Sequence, residues 1–380
     1  MTESERELLV RPVETTADED AFYSFKSWLY RDDPAAVEPL RSMARGALDV
    51  TKNAFFEHAT RQQWVCFEDG KCVGRIVAIV DDLHNQHCND DVGFFGFFEC
   101  IEDVEVAKRL IETAREWLAE RGKTSMRGPV SPSMKGEFGV VVEGNQNRPC
   151  VMMNHSFKYY DDLLKACGFE VAKSFYAFEI ESDDSAHDKK YAKLAKFETR
   201  VKKRFPDLEI AHVTKANFED SVRDVNRLAN EVRSEGWGFV PMTAGEVDTM
   251  IRNIRSVIRY DMFYVARYRG KLVGFMITIP DINWALQKTF FKNDFLRKLE
   301  LLFWLRFIPR GRVIALGVDP SFRNKGIAML LINRLVNERR AYKEWEFSWV
   351  LDDNLKSLRA IERSVDLSRC RTIRMYEKAI

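Results

Sequence analysis

The stretch "DPSFRNKGIAMLLI", residues 319–332, changes character halfway. It opens with a turn former, two cations and a glycine, then becomes an apolar run. The strand-like "RVIALGV" (312–318) precedes it, so a strand delivers Arg323, Lys325 and Gly326 to the start of a helix. In outline this is an anion site. The first amides of a helix lack internal partners and carry the positive end of its dipole. Gly326 lets the backbone curl and a ligand approach, Ala328 keeps the next position small, and the two cations suit a diphosphate. An ordinary helix start with solvated charges is the competing reading. A Walker loop and a dinucleotide fingerprint are both excluded, because neither GxxxxGK[ST] nor GxGxxG occurs.

The surroundings favour the anion site. "WVCFEDGKCVGRIVAIVD" (64–81) overlays "YVARYRGKLVGFMITIPD" (264–281) without a gap, with seven identities in 18 positions at an offset of 200. Each copy reads as strand, Gly-Lys turn, strand. The first is followed by the apolar strand "VGFFGFFE" (92–99), a helix from about Val104 to Arg121, and the strand "SMRGPV" (125–130). The second is followed by "RVIALGV", a helix from about Gly326 to Arg340, and "EFSWVL" (346–351). Each half is therefore mixed α/β, and the chain divides into residues 1–180, a polar linker 181–190, and residues 191–380, the last opening on the helix "YAKLAKFETRVKKRF" (191–205). The first half serves as a control. Its corresponding helix start, "CIEDVEVAKRL" (100–110), places Glu102, Asp103 and Glu105 where a phosphate would sit. Acids stabilise a helix N-terminus but repel a diphosphate, so one cofactor site per chain, in the second half, is expected.

Composition sets the frame. A chain of 380 residues suggests two domains, and a formal net charge of +1 supplies no global field for nucleic acid or membrane, so no nucleic-acid partner is expected. Seven scattered cysteines without a CxxC pair suit reduced thiols. "MTESERELLV" lacks the basic and apolar regions of a secretory signal, and the most apolar stretch, "LELLFWLRFI" (299–308), is about half the ~20 residues of a spanning helix. A cytoplasmic protein is expected.

The hairpin, the strand "VIALGV" and the loop "RNKGIA" together resemble the acyl-CoA-binding core of the GNAT acyltransferase superfamily, whose signature is Q/R-x-x-G-x-G/A. Arg323, Gly326 and Ala328 stand at its three defining places. "SWVLDDN" (348–354) is similar to the strand that splays from the cofactor strand in that fold. The blocks "KNAFFEHA" (52–59), "GFFGFFEC" (93–100), "RGPVSPS" (127–133), "YYDDLLKACGF" (159–169) and "WGFVP" (237–241) further resemble a two-lobed bacterial branch that includes acyltransferases proposed as ceramide synthases.

The resemblance implies an α/β fold of two tandem GNAT-like lobes, the first degenerate, with acetyl-CoA or a longer acyl-CoA as co-substrate and no metal. It implies that Leu316 and Val318 pair with the pantetheine arm through their backbone, with an amide near Val318 as the oxyanion donor. Arg323, Asn324, Lys325, Gly326, Ile327 and Ala328 would hold the diphosphate, and Asn354 would meet the arm from the other side. The tyrosine that often protonates the leaving thiolate in this superfamily is absent: Ile361 stands at about that place. Tyr376, in a strand-like "MYEK", or water is the substitute. An alkylamine, with a pKa of about 10.4, must lose a proton before attack, and Asp352 or Asp353 is the candidate acceptor unless both merely end a strand and cap the next helix. The function implied is acyl transfer from CoA to a primary amine, with a long-chain, sphingoid-type amine as one acceptor class. Small soluble amines, thioester hydrolysis and a non-catalytic acyl-CoA sensor are the alternatives. Oligomeric state stays open.

Three further features carry expectations. "HNQHC" (84–88) is expected to be a polar loop rather than a metal site, since His84, His87 and Cys88 have no further partner at ligand spacing. "GFFGFFEC" reads as a buried central strand, with a ring-lined acyl pocket as the alternative. "FFKNDFLRKLELLFWLRFIPRGR" (290–312) has Phe291, Phe295, Leu299, Leu302 and Phe303 on one helical face, with Lys292, Arg297, Lys298, Arg306, Arg310 and Arg312 making it basic. It is either a core helix with a solvated face or an interfacial helix giving peripheral contact at the inner face of the membrane.

Overall fold

The computed structural model describes residues 7–181, 187–233, 236–255, 258–291, 293–337, 342–354 and 367–380. The chain divides into two units: residues 1–175, 289–300 and 371–380 form the first, and residues 176–288 and 301–370 the second.

The first unit begins with β1 (Leu8–Pro12), α1 (Thr16–Leu29) and α2 (Arg41–Ala47). The repeated hairpin follows as β2 (Ala59–Glu68) and β3 (Lys71–Asp81), and then α3 (Asp82–Cys88). The strand β4 (Val92–Cys100), helix α4 (Val104–Ala119) and strand β5 (Ser125–Ser131) make a parallel crossover. Two short strands, β6 (Glu137–Phe138) and β7 (Val140–Glu143), and helix α5 (Tyr159–Ala166) complete this part. The sheet order is β1-β2-β3-β4-β5. Ala107, Leu110, Ala114 and Leu118, spaced for one face of α4, are buried in the unit's apolar core.

The chain continues through β8 (Glu170–Glu181), α6 (His187–Arg204), β9 (Leu208–His212), α7 (Phe218–Arg233) and α8 (Ala244–Ile254). The second copy of the hairpin is β10 (Phe263–Tyr268) and β11 (Lys271–Pro280). Helices α9 (Ile282–Gln287) and α10 (Asp294–Trp304) lead into β12 (Arg310–Val318), α11 (Ile327–Asn337) and β13 (Glu344–Leu351), the second parallel crossover. The last strand is β14 (Leu367–Ala379), and its end pairs antiparallel with β5. In the second unit the order is β8-β13-β12-β11-β10-β9. Val222, Val225, Val247 and Ile251 of α7 and α8 cover Phe263, Val265 and Phe275 of its sheet. Of the expected linker, residue 181 closes β8, 187–190 begin α6, and 182–186 lie outside the described residues.

The duplication read from sequence is exact in geometry to within a few degrees. The hairpin turns have φ of 48° and 76° at Asp69 and Gly70, and 50° and 79° at Arg269 and Gly270. Left-handed φ at both central residues gives the turn whose twist matches the flanking strands. Both hairpins bulge at the same step, Cys66/Phe67 and Ala266/Arg267. The aromatic run is the buried central strand β4, and its rings fill the core: Phe95 packs 5.0 Å from Phe169, and Phe98 5.7 Å from Tyr160.

Two expectations are corrected. "HNQHC" belongs to helix α3 rather than a loop, because Asp81 caps its start by accepting the His84 amide and Asn89 ends it with φ of 53°. The segment 290–312 is not one basic amphipathic helix. Its helix α10 ends at Trp304, and Arg310 and Arg312 belong to β12, where both are buried. Arg297 is buried as well, as is Leu301, while Phe295, Leu296, Leu299, Leu302 and Phe303 of α10 are exposed; Lys292 lies outside the described residues.

Candidate acyl-CoA site

The second unit opens a gap in its own sheet. β12 and β13 pair in parallel from Arg310↔Glu344 to Val313↔Phe347, and the pairing stops there. β12 nevertheless continues to Val318 along β11, past an irregularity that leaves Ile314 out of register. The amide of Asp319 donates to the Val273 carbonyl at 2.9 Å, which fixes the alternation of the ladder. Val318 and, two residues back, Leu316 therefore turn their own N–H and C=O away from β11, toward the side β13 has left. Both side chains are half-buried.

The loop after β12 is built for exposed amides. Asp319 caps the short turn at Pro320–Phe322 through the Ser321 amide and hydroxyl, and its other oxygen meets Lys271 at 3.0 Å. Burial pushes this carboxyl up, but the Ser321 hydroxyl and the Lys271 ammonium outweigh it and hold it below its ordinary range. Asn324 and Gly326 both take positive φ, 59° and 91°, so successive amides of the loop form a concave nest before α11. Leu330 makes the first helical bond, to Gly326, and among the described residues no side chain caps the earlier amides of Ile327 and Ala328. The Lys325 ammonium lies 4.7 Å from the Phe322 ring, and Arg323 is exposed, donating to the Val232 carbonyl at 3.2 Å. Gly326 has a second reason to be glycine: a Cβ there would stand 2.8 Å from Phe197 of α6.

A buried charge cluster pins the strands where the gap begins. Arg312, 1% exposed, donates to the Ser348 hydroxyl at 2.8 Å and lies 3.6 Å from Glu346, itself 2% exposed. Arg310 meets the other Glu346 oxygen at 3.3 Å and Glu179 at 3.2 Å. The register Arg312↔Glu346 is one step before the last pair, so this network holds β12 and β13 together immediately ahead of their divergence. Glu346→Ala is expected to lower the unfolding free energy by about 3–5 kcal/mol in denaturant titration, since it removes the carboxylate that two buried guanidinium groups share; Glu346→Gln should lose less.

The model of the acetyltransferase (GNAT) family matches residues 224–366, the span that contains the gap, the loop and the pinning cluster. Over nearly the whole chain there are two curated relatives. Protein YghO of Escherichia coli (strain K12) is 29% identical, covering 98% of this chain and 95% of its own. The bacterial ceramide synthase of Caulobacter vibrioides (strain NA1000 / CB15N) is 27% identical, covering 98% of both. Among solved structures, the tandem GNAT protein from the clavulanic acid biosynthesis pathway superposes with a TM-score of 0.57 at 12% identity, covering 98% of each chain.

Residues 224–366 match the acetyltransferase (GNAT) family, and the chain has the two-lobed fold of tandem GNAT proteins, which together support a GNAT-type N-acyltransferase.

Within this frame the first lobe shows what became of the equivalent gap. Ile101 donates to Val73 at 3.1 Å as Asp319 does to Val273, so Cys100 corresponds to Val318. The parallel pairing of β4 with β5 likewise stops, at Gly96↔Val130. Here the outward backbone groups of Cys100 are already taken. The Cys100 amide donates to the Tyr160 hydroxyl at 3.0 Å, and the Cys100 carbonyl accepts from the Tyr159 and Tyr160 hydroxyls at 2.8 and 3.1 Å. Tyr160 also bonds Glu99, and burial pushes its phenol far above its ordinary value, so it stays protonated. The α4 amides are capped from within as well, because Asp103 accepts from Glu105 and Val106. The Cys100 backbone and the helix start are thus both satisfied by the chain itself. The sequence pointed to the acids at the helix start; the tyrosines arrive from 60 residues away and were not foreseen.

Other anticipated residues fall in separate places. Asp352, half-buried, and the exposed Asp353 and Asn354 follow the end of β13, where the Asn354 amide closes a turn onto Leu351. Ile361 lies outside the described residues. Tyr376 belongs to the first lobe: it is fully buried in that core, pairs with Gly128, and donates its hydroxyl to Asp161. Burial and then Asp161 push its phenol well up. The structure brings His84, Cys88 and Asp90 within 4.8 Å of one another, His84 lying 3.4 Å from Asp90. Burial lowers the His84 imidazole, and the Arg127 guanidinium, 4.0 Å from Asp90, already sets a cation beside that carboxylate. The Arg310–Arg312–Glu346 cluster was missed because its cations read as surface charge. The available signal was period two: Arg-x-Arg in one strand and Glu-x-Glu-x-Ser in its partner.

Proposed function

We propose that the second lobe binds a single acyl-CoA and transfers its acyl group to the nitrogen of a long-chain primary amine. The observation that carries the site is the pair of outward-turned backbone units at Leu316 and Val318, beside the uncapped amides of the loop and α11. They match an extended amide-bearing arm followed by a diphosphate, and the first lobe, where the Cys100 groups equivalent to those of Val318 are filled, provides the contrast. Acyl-CoA supplies a thioester already activated toward amines. The Val318 amide donates to the thioester carbonyl oxygen as negative charge develops there. Asp352, with Asp353 as second candidate, takes the proton from the ammonium, directly or through water, so that the nitrogen lone pair is free to attack. The new C–N bond forms as C–S breaks, and the second proton of the attacking nitrogen passes through water to the departing thiolate. Arg323, Asn324, Lys325 and Gly326 hold the diphosphate with the amides of Ile327 and Ala328, and Asn354 bounds the arm on the opposite side.

The acceptor class is supported by the relative named as a bacterial ceramide synthase and by the apolar segment described below. An acceptor of this kind lives in a bilayer, which makes the enzyme a peripheral protein at the inner face of the cytoplasmic membrane. Purified protein with acyl-CoAs of graded length and a panel of short and sphingoid-type amines should release thiol and form amide preferentially with the long amines. Amide on short amines alone would replace the acceptor. Thiol without amide would mean hydrolysis, and binding without thiol would mean a sensor.

A further inference from the structure

Eight of the large hydrophobic side chains exposed among the described residues lie between 290 and 307. Phe290 is 87% exposed and Phe295 68%; Leu296, Leu299, Leu302, Phe303 and Phe307 are exposed too. On α10 the spacing 295, 299, 302, 303 makes one face, and that face points to solvent. The opposite side carries the polar anchors. Arg297 donates to the Glu38 and Pro39 carbonyls at 2.8 and 3.1 Å, and Asp294 accepts from the Arg41 and Ser42 amides at 3.0 and 2.8 Å. The helix is thus held by its charged side and presents its apolar side, the reverse of a core helix. So large a contiguous apolar face marks a surface that something covers.

The local charges select the cover. The acids of the segment are bonded internally: Asp294 as above, and Glu300 to the Phe290 and Phe291 amides at 2.9 and 3.1 Å. The cations flanking the apolar face, Lys288, Lys298 and Arg306, are exposed. Apolar side chains rimmed by exposed cations complement an anionic lipid interface, with rings and leucines among the acyl chains and ammonium and guanidinium groups at headgroup level. Among the described residues no helix is long and apolar enough to cross a membrane, so contact would be from one side.

We propose that the outward face of residues 290–307 docks the protein onto an anionic bilayer surface. The proposal deepens the lipid-acceptor reading, yet vesicle binding requires no turnover, so the two fail separately. In co-sedimentation, the full chain should bind vesicles of phosphatidylcholine mixed with phosphatidylglycerol. F295E/L302E should weaken that binding at least about tenfold while leaving the thermal midpoint and acylation of a soluble short amine as in the parent. K298E/R306E should weaken binding to the anionic vesicles by about tenfold and leave the weaker binding to pure phosphatidylcholine unchanged. A parent that ignores both vesicle types overturns the proposal. So does a parent dimer that F295E/L302E converts to monomer without vesicle binding, which would assign the face to a second copy of this chain. Vesicle binding with strict preference for soluble amines would keep the docking surface and retire the lipid acceptor.

Discussion

Val318→Pro is expected to lower turnover by about 10²–10³-fold while the second lobe still folds. Removing one oxyanion donor costs that much in acyl transfer, because nothing else in the site replaces a pre-aimed amide as the carbonyl oxygen gains charge. Proline deletes only the N–H that points away from β11; the neighbouring ladder bond, Asp319 to Val273, is untouched. The residue before it is Gly317, which has no Cβ to meet the proline ring. Val318→Ala keeps the amide and should behave as the parent. Steady-state kinetics with thiol detection, beside a thermal melt, provides the comparison. Equal turnover in the proline and alanine variants would remove the Val318 amide from the mechanism.

Gly96→Ala should be the most damaging single methyl in the first lobe. An ideal Cβ at Gly96 would lie 1.5 Å from the Val130 carbonyl oxygen and 2.6 Å from its carbon, on the strand paired beside it. Backbone cannot rotate aside as a side chain can, so β4 must part from β5. Phe95, Phe98 and Val130 are buried on these two strands, and their packing would go with the separation. A loss of more than about 4 kcal/mol is expected, read as insoluble protein or an early, non-cooperative transition by circular dichroism. Gly46→Ala is the control: it lies in helix α2 with nothing within 4 Å of its Cβ, and should be neutral or stabilising by about 0.5–1 kcal/mol. A Gly96 variant that melts like the parent would mean that the two strands are not in this register.

The sequence alone carried the duplicated hairpins, the strand–helix–strand order after each and the loop before α11, and for one kind of reason. A turn with left-handed φ at two residues, a strand of alternating burial and a helix start are decided by neighbours a few positions apart. Matching Gly70–Lys71 with Gly270–Lys271 is therefore enough to predict matching turns, and Arg323, Gly326 and Ala328 announce their loop from within it. The burial of charge was not legible. Arg310 and Arg312 look like surface cations until β13 brings Glu346 opposite them, 34 residues on from Arg312, to pair with them where they are buried. The filling of the first lobe's gap was hidden likewise, because Cys100 meets Tyr159 and Tyr160 only when α5 packs over β4. For α10, periodicity defined an apolar face but not the side it would take. The Glu38 and Pro39 carbonyls hold Arg297 on the inner side by hydrogen bonds, and the apolar face is left outside. Local geometry follows from the order of residues; which side of an element is buried depends on groups distant in the chain, and only the folded structure brings those together.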